Sequence, residues 1–132
     1  MREIREVIFR GKRTDNGEWI EGSLLGIDWC DKPSTYSIAP NTPVSVFYSV
    51  IPETVGQYTG LTDKNGKRIF EGDIVRYEDD IGYVIYNGDD ARFLVDSPNM
   101  YISMDYSNEF EVIGNIHDNT ELLGGENNGI NR

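Results

Sequence analysis

The sequence predicts a mainly β protein with little helix. It divides into an irregular N-terminal β region over residues 1–70, a small antiparallel barrel over 71–123 and a flexible tail over 124–132. Three observations predict this. The chain has 14 glycines, 8 tyrosines and 5 phenylalanines, a composition that favours short strands and tight turns over long helices. Apolar residues make up 38 % of its 132 positions, enough to close a core without disulfides or metals and too many for a disordered chain. Beyond residue 70, extended segments recur about every ten residues and Gly, Asp and Asn separate them, which is the spacing of a meander.

Residues 4–10 alternate, with Val7 and Phe9 on one face and Ile8 on the other, and read as a first strand. Asn16-Gly17 closes the next loop, since this pair readily takes positive φ in a hairpin turn. Residues 18–27 return as a strand, with Trp19, Ile20, Leu24 and Leu25 as bulk and Gly22 and Gly26 as bends. Residues 28–43 hold three of the five prolines and are irregular apart from a short strand at 36–39. Residues 44–51, apolar and β-branched, form the strongest strand of the first half, and Pro52 ends it. Residues 55–58 are short and extended, and Asp63-Lys64-Asn65-Gly66 is a second turn. Strands follow at 74–77, 82–86, 92–95, 101–106 and 110–116, with turns at 78–80, at Asn87-Gly88 and at 97–99. Residues 118–123 form one helical turn. Closing the sheet into a barrel would remove its unpaired edges.

Charge and composition limit the function. Residues 1–70 balance nine basic against nine acidic side chains, whereas 71–132 carry three basic and fourteen acidic, so the whole net charge of -11 falls in the C-terminal part. Direct nucleic-acid binding is not expected, because phosphate-backbone binders present net Lys and Arg. The acidic part serves as a solubilising surface or as a face for a basic host or phage protein. A single Cys excludes an intrachain disulfide, and one Cys with one His cannot supply a four-ligand zinc site. No apolar run approaches the ~20 residues a bilayer demands, and the first ten residues lack a signal-peptide core. The expectation is a cytoplasmic protein with no membrane partner.

Few constellations could carry chemistry. Cys30 and His117 are the one thiol and the one imidazole, and nothing in their spacing supplies an orienting third group. Cys30 beside Trp29 reads as an apolar anchor and His117 as a turn residue. Glu78-Asp79-Asp80 and Asp89-Asp90 read as solvated hairpin tips. Were the two tips to converge, they would offer oxygen ligands to Ca²⁺ or Mg²⁺, or a carboxylate pair to a hydrolase. No EF-hand spacing, phosphate loop, nucleophile elbow or His-Glu-x-x-His is present. No catalytic, cofactor-binding or metal residue is assigned. Arg10, Lys12 and Arg13 near Trp19, and Lys64, Lys67 and Arg68 near Phe70, are neighbourhoods of the kind that stack on nucleic acid, although decoration of hairpin tips explains them more simply. Tyrosines 77, 83, 86, 101 and 106 suit a half-buried sheet face and equally a protein interface. A partner face is therefore expected on Tyr77, Tyr83 and Tyr86 together with Glu78, Asp79, Asp80, Asp89 and Asp90.

The stretch Gln57-Tyr58-Thr59-Gly60-Leu61-Thr62-Asp63-Lys64-Asn65-Gly66, continuing as Lys67-Arg68-Ile69-Phe70-Glu71-Gly72-Asp73-Ile74-Val75, resembles the signature of the YopX family of phage and prophage proteins. Ile8-Phe9-Arg10-Gly11-Lys12 resembles the usual start of that family. Phe110-Glu111-Val112-Ile113-Gly114-Asn115-Ile116-His117, with Asn119, Glu121 and Leu122-Leu123, resembles its end. The resemblance implies a mainly β protein encoded by a phage or an integrated prophage; it implies no activity and no site residues. The marked positions Gly60, Asp63, Gly66, Ile69, Glu71, Gly72, Asp73 and Val75 read physically as structure. Asn65-Gly66 reverses the chain, Ile69 fills a core, Gly72 permits positive φ, and Asp73 accepts hydrogen bonds from turn amides. The strand that starts at Ile74 is similar, by analogy, to the first strand of SH3-like barrels, so the barrel is expected to be SH3-like. The sequence points to a non-enzymatic binding or self-assembly module, expected to be a homo-oligomer. An acidic mimic of nucleic acid that occupies a basic host protein is the alternative, and a metal- or carboxylate-dependent hydrolase the third reading.

Overall fold

The computed structural model describes residues 5–26 and 36–124. The chain forms two compact units, Met1–Tyr58 and Thr59–Arg132, so the 63–66 turn belongs with the second. The architecture is mainly β, built from antiparallel sheets joined by short 3-10 segments. Among the described residues no helix is long and apolar enough to cross a membrane.

In the first unit β1 (Phe9–Lys12), β2 (Trp19–Gly26), β3 (Tyr36–Ala39) and β4 (Tyr48–Val50) pair in succession, each antiparallel to the next. The start of β5 (Gly56–Thr62) lies along the other side of β1, with Phe9 opposite Gln57. Gly17 takes φ 74°, and the Asn16 side chain accepts from the Glu18 amide, as the Asn-Gly turn requires. Ile38 and Val50 are buried. Gly11 presses against them so closely that a Cβ there would sit 3.1 Å from Val50 Cβ and 3.3 Å from Ile38 Cδ1. Val50 also bridges Arg13, and the Ile51 amide donates to the Lys12 carbonyl, so β4 curls back to the end of β1 without a continuous ladder.

Two expectations are corrected in this unit. The first strand begins only at Phe9, and Val7 is exposed. The apolar run 44–51 is strand only at Tyr48–Val50, and Val44 and Phe47 are exposed. Tight local turns override its β propensity: the Thr42 amide donates to the Pro40 carbonyl and the Val46 amide to the Val44 carbonyl. Backbone groups that a ladder needs are thereby engaged within the loop.

The second unit takes up the end of β5 and adds β6 (Arg68–Phe70), β7 (Asp73–Tyr77), β8 (Asp80–Asn87), β9 (Arg92–Asp96), β10 (Tyr101–Ser103) and β11 (Glu111–Asn115). The last five form a sheet of order β10-β9-β8-β7-β11. Its core joins Ile69, Val75, Val84, Val95, Ile102, Met104 and Phe110. The expected closed, SH3-like barrel is corrected to an open sheet with β10 and β11 at its edges. The reason lies in residues 104–109, expected in part as strand. Ser103 Oγ accepts from the Asp105 amide and starts a 3-10 turn over Met104–Glu109, which ends β10 after three residues. β11 returns to β7 instead, with a register shift between Val112 and Gly114. One further 3-10 turn, Thr120–Leu123, follows within the 118–123 segment where a helical turn was expected.

Candidate functional site

The signature residues meet at the entrance to the second unit. Asp63 is 5 % exposed. Its Oδ1 accepts from the amides of Asn65 and Lys67, both at 2.9 Å, and its Oδ2 accepts from the Val112 amide at 2.9 Å. One carboxylate thus closes the turn and fastens it to β11. Burial pushes its pKa up, but the amides of Val112, Lys67 and Asn65, with the Lys67 charge, outweigh that and hold the carboxyl below its ordinary value. Asp73, also buried, accepts from the Phe70 amide at 2.7 Å. Between them the backbone of Gly72, at φ 93°, donates to the Val84 carbonyl and accepts from the Ile116 amide. Gly60 and Gly66 also lie at positive φ. Ile69 and Val75 enter the core, and Glu71 is half-buried. Both buried carboxylates of the signature are therefore engaged by backbone amides.

The acidic tips do not converge. Asp80 opens β8 and Asn87 ends it, which at about 3.3 Å per residue separates the tips by about 23 Å. A metal or carboxylate pair shared between them is not formed. At one tip Glu78 takes φ 54° and Asp80 accepts from the Asn99 side-chain amide at 3.2 Å. At the other, Asp90 pairs with Arg92 at 3.4 Å. Asn87 Oδ1 accepts from the Asp89 amide, and the positive φ falls on Ala91 rather than on Gly88. A different turn has formed there from the one the Asn-Gly pair suggests.

The tyrosines divide between the two faces of the sheet. Tyr77 packs edge-on to Phe110 with ring centroids 5.6 Å apart, and lies 5.6 Å from Tyr106. Tyr86 meets Phe93 edge-on at 5.3 Å. Tyr83 differs in parity from Val84 and Tyr86 and projects to the opposite face. The register places it across from Asp96, which in turn lies across from Tyr101. Burial, then the nearby Asp96 carboxylate, raise the Tyr83 pKa. Ile81, Tyr83, Asp96, Ser97, Pro98 and Leu123 line a cavity of about 220 Å³ beside this pair. Sequence reasoning singled out Tyr83 but missed Asp96, Ser97 and Pro98, which the β8–β9 register brings to it, and Leu123, which the final 3-10 turn supplies.

The basic-aromatic neighbourhoods are internally stacked or closed. The Arg10 guanidinium lies 4.8 Å and Lys12 Nζ 5.6 Å from the Trp19 ring centroid. Arg13 sits 4.1 Å over Tyr48 and is bonded to Asp15 at 2.6 Å. Phe70 is 2 % exposed and has no face to offer a base. Trp29 and Cys30 lie outside the described residues. The His117 amide donates to Asn115 Oδ1 at 2.9 Å, which places it in the turn after β11.

Comparison with known proteins adds one finding: a family model described as YopX protein matches residues 8–124. No curated protein matches the chain.

Proposed function

The chain belongs to the YopX family, and from that membership we propose that it is a phage- or prophage-encoded, non-enzymatic module that works in the bacterial cytoplasm by binding protein. The observation that carries this reading is how its polar and aromatic groups are placed. The buried signature carboxylates hold backbone amides, while Tyr86, Met100, Tyr101 and Tyr106 keep 46–64 % of their surface exposed. Exposed aromatic and Met side chains, here on strands β8 and β10 and the turns beside them, are enriched at protein interfaces. Residues 59–132 carry six basic and fifteen acidic side chains, a net -9, which favours a basic partner and steers its approach. A second copy is a further candidate, because exposed Tyr and Met side chains serve self-association as readily as binding to another protein.

Light scattering across dilution, with capture from host lysate at low and high salt, tests the proposal. Self-association, or retention of a basic protein that high salt releases, supports it. A chain that stays monomeric at every concentration and retains no basic protein at low salt overturns it.

A further inference from the structure

We propose that the cavity beside Tyr83 receives the arginine side chain of a protein partner, whose guanidinium meets the Asp96 carboxylate. This rests on the binding-module reading and names where that binding is anchored.

Size comes first. At about 220 Å³ the cavity is smaller than the roughly 300–1,000 Å³ of small-molecule sites, so it suits one long side chain better than a cofactor or metabolite. Its walls come next. Ile81, Pro98 and Leu123 supply apolar surface of the kind that covers a methylene stem. Tyr83 adds an aromatic ring, and Asp96 sits in register between Tyr83 and the 64 %-exposed Tyr101. A carboxylate flanked by tyrosines selects a cation that can both accept aromatic stacking and donate a fork of N–H bonds. That describes a guanidinium better than the compact, strongly hydrated ammonium of lysine.

Charge placement supplies the third argument. The Asn99–Asp80 hydrogen bond joins the 97–100 turn to the tip that carries Glu78, Asp79 and Asp80, so one acidic tip adjoins the cavity. The other tip lies at the far end of β8. Arg76 lies across from Ile81 but is paired with Glu111, so Glu78, Asp79, Asp80 and Asp96 leave this end net negative, attracting a cation and repelling a phosphate.

The experiment is a titration of the full chain with the tripeptide Ac-Gly-Arg-Gly-NH₂ at fixed ionic strength, followed by amide chemical shifts, with Ac-Gly-Gln-Gly-NH₂ as control. Saturable shifts are expected at residues 81–83, 96, 97 and 123, and not at residues 89 and 90. Asp96→Asn keeps the size of the side chain while removing its charge, and should weaken binding about tenfold, the loss of one charge-assisted pair. The double variant Asp89→Asn/Asp90→Asn should bind within about twofold of the parent. Equal shifts at both acidic tips, equal binding of the glutamine peptide, or unchanged affinity in Asp96→Asn would each overturn the assignment. The shift pattern of the parent chain decides the matter even if a variant folds poorly. If the cavity amides stay unmoved while the chain still self-associates or retains a basic protein, the cavity assignment fails and the binding-module reading stands.

Discussion

Single residues carry much of the organisation of the second unit. Asp63 satisfies three backbone amides with two oxygens, and leaving a buried donor unsatisfied costs about 1–3 kcal/mol each. These bonds are part-buried and water can reach the Asn65 and Lys67 donors, so Asp63→Ala should lower stability by about 1–3 kcal/mol in urea unfolding. Its folded-state pKa lies below the unfolded value of about 3.9. The stability it contributes is present above that value and is lost as pH falls through the folded pKa. Between pH 6 and pH 3 the parent should consequently lose more stability than Asp63→Asn, and parallel losses in chemical denaturation would refute this. Backbone conformation makes a second prediction. Gly66 sits at φ 81° with open space where a Cβ would go, so Gly66→Ala should cost about 1 kcal/mol through strain alone. Glu78, a non-glycine residue at φ 54°, is the converse case, and Glu78→Gly should gain a few tenths to about 1 kcal/mol in the same assay. The turn role of Gly66 is legible from Asn65-Gly66 alone. That Asp63 also holds Val112 is not, because a turn motif carries no information about a strand 49 positions away.

At the scale of elements, turn residues mark where most strands end, although not always which turn forms, and apolar runs are a weaker guide. The strand at Tyr36–Ala39 and the meander from β7 to β9 stand close to where alternation and turn residues put them. The run 44–51 failed because β-branched composition describes a fit to a pleated surface, and local turns can claim the backbone first. The 101–106 strand failed for a related reason: Ser103 caps a 3-10 turn that apolar patterning does not report. The face of each tyrosine follows from strand parity, but the partner it meets follows from register, which is why Asp96 escaped notice beside Tyr83. Close packing between elements gives a further test. A Cβ on Gly22 would fall 2.1 Å from the Ala39 carbonyl oxygen, whereas one on Gly17 meets nothing within 4 Å. Gly22→Ala should open the β2–β3 pairing and abolish hydrogen-exchange protection there, while Gly17→Ala should leave that pairing intact and cost only about 1 kcal/mol.

For the molecule as a whole, charge is the property most plainly written in the sequence. The surplus of acidic groups predicts self-repulsion, so added salt should raise the melting temperature by screening it. A melting temperature that falls with salt would mean that ion pairs such as Arg76–Glu111 (2.8 Å) outweigh the repulsion. Whether the sheet closes was not legible, since closure depends on how the chain between the fourth and fifth strands of the sheet is used. Here Phe110, 0 % exposed, follows that segment into the core, and Phe110→Ala should cost about 3–5 kcal/mol.

The carboxylate that spans from the 63–66 turn to β11 also sets an order of events during synthesis. Because Val112 leaves the ribosome long after Asp63, the growing chain holds that anion without its last donor until the final strand emerges. Nascent chains halted before residue 110 should therefore remain protease-sensitive throughout 59–109, and resistance should arrive in a single step once 110–116 are exposed.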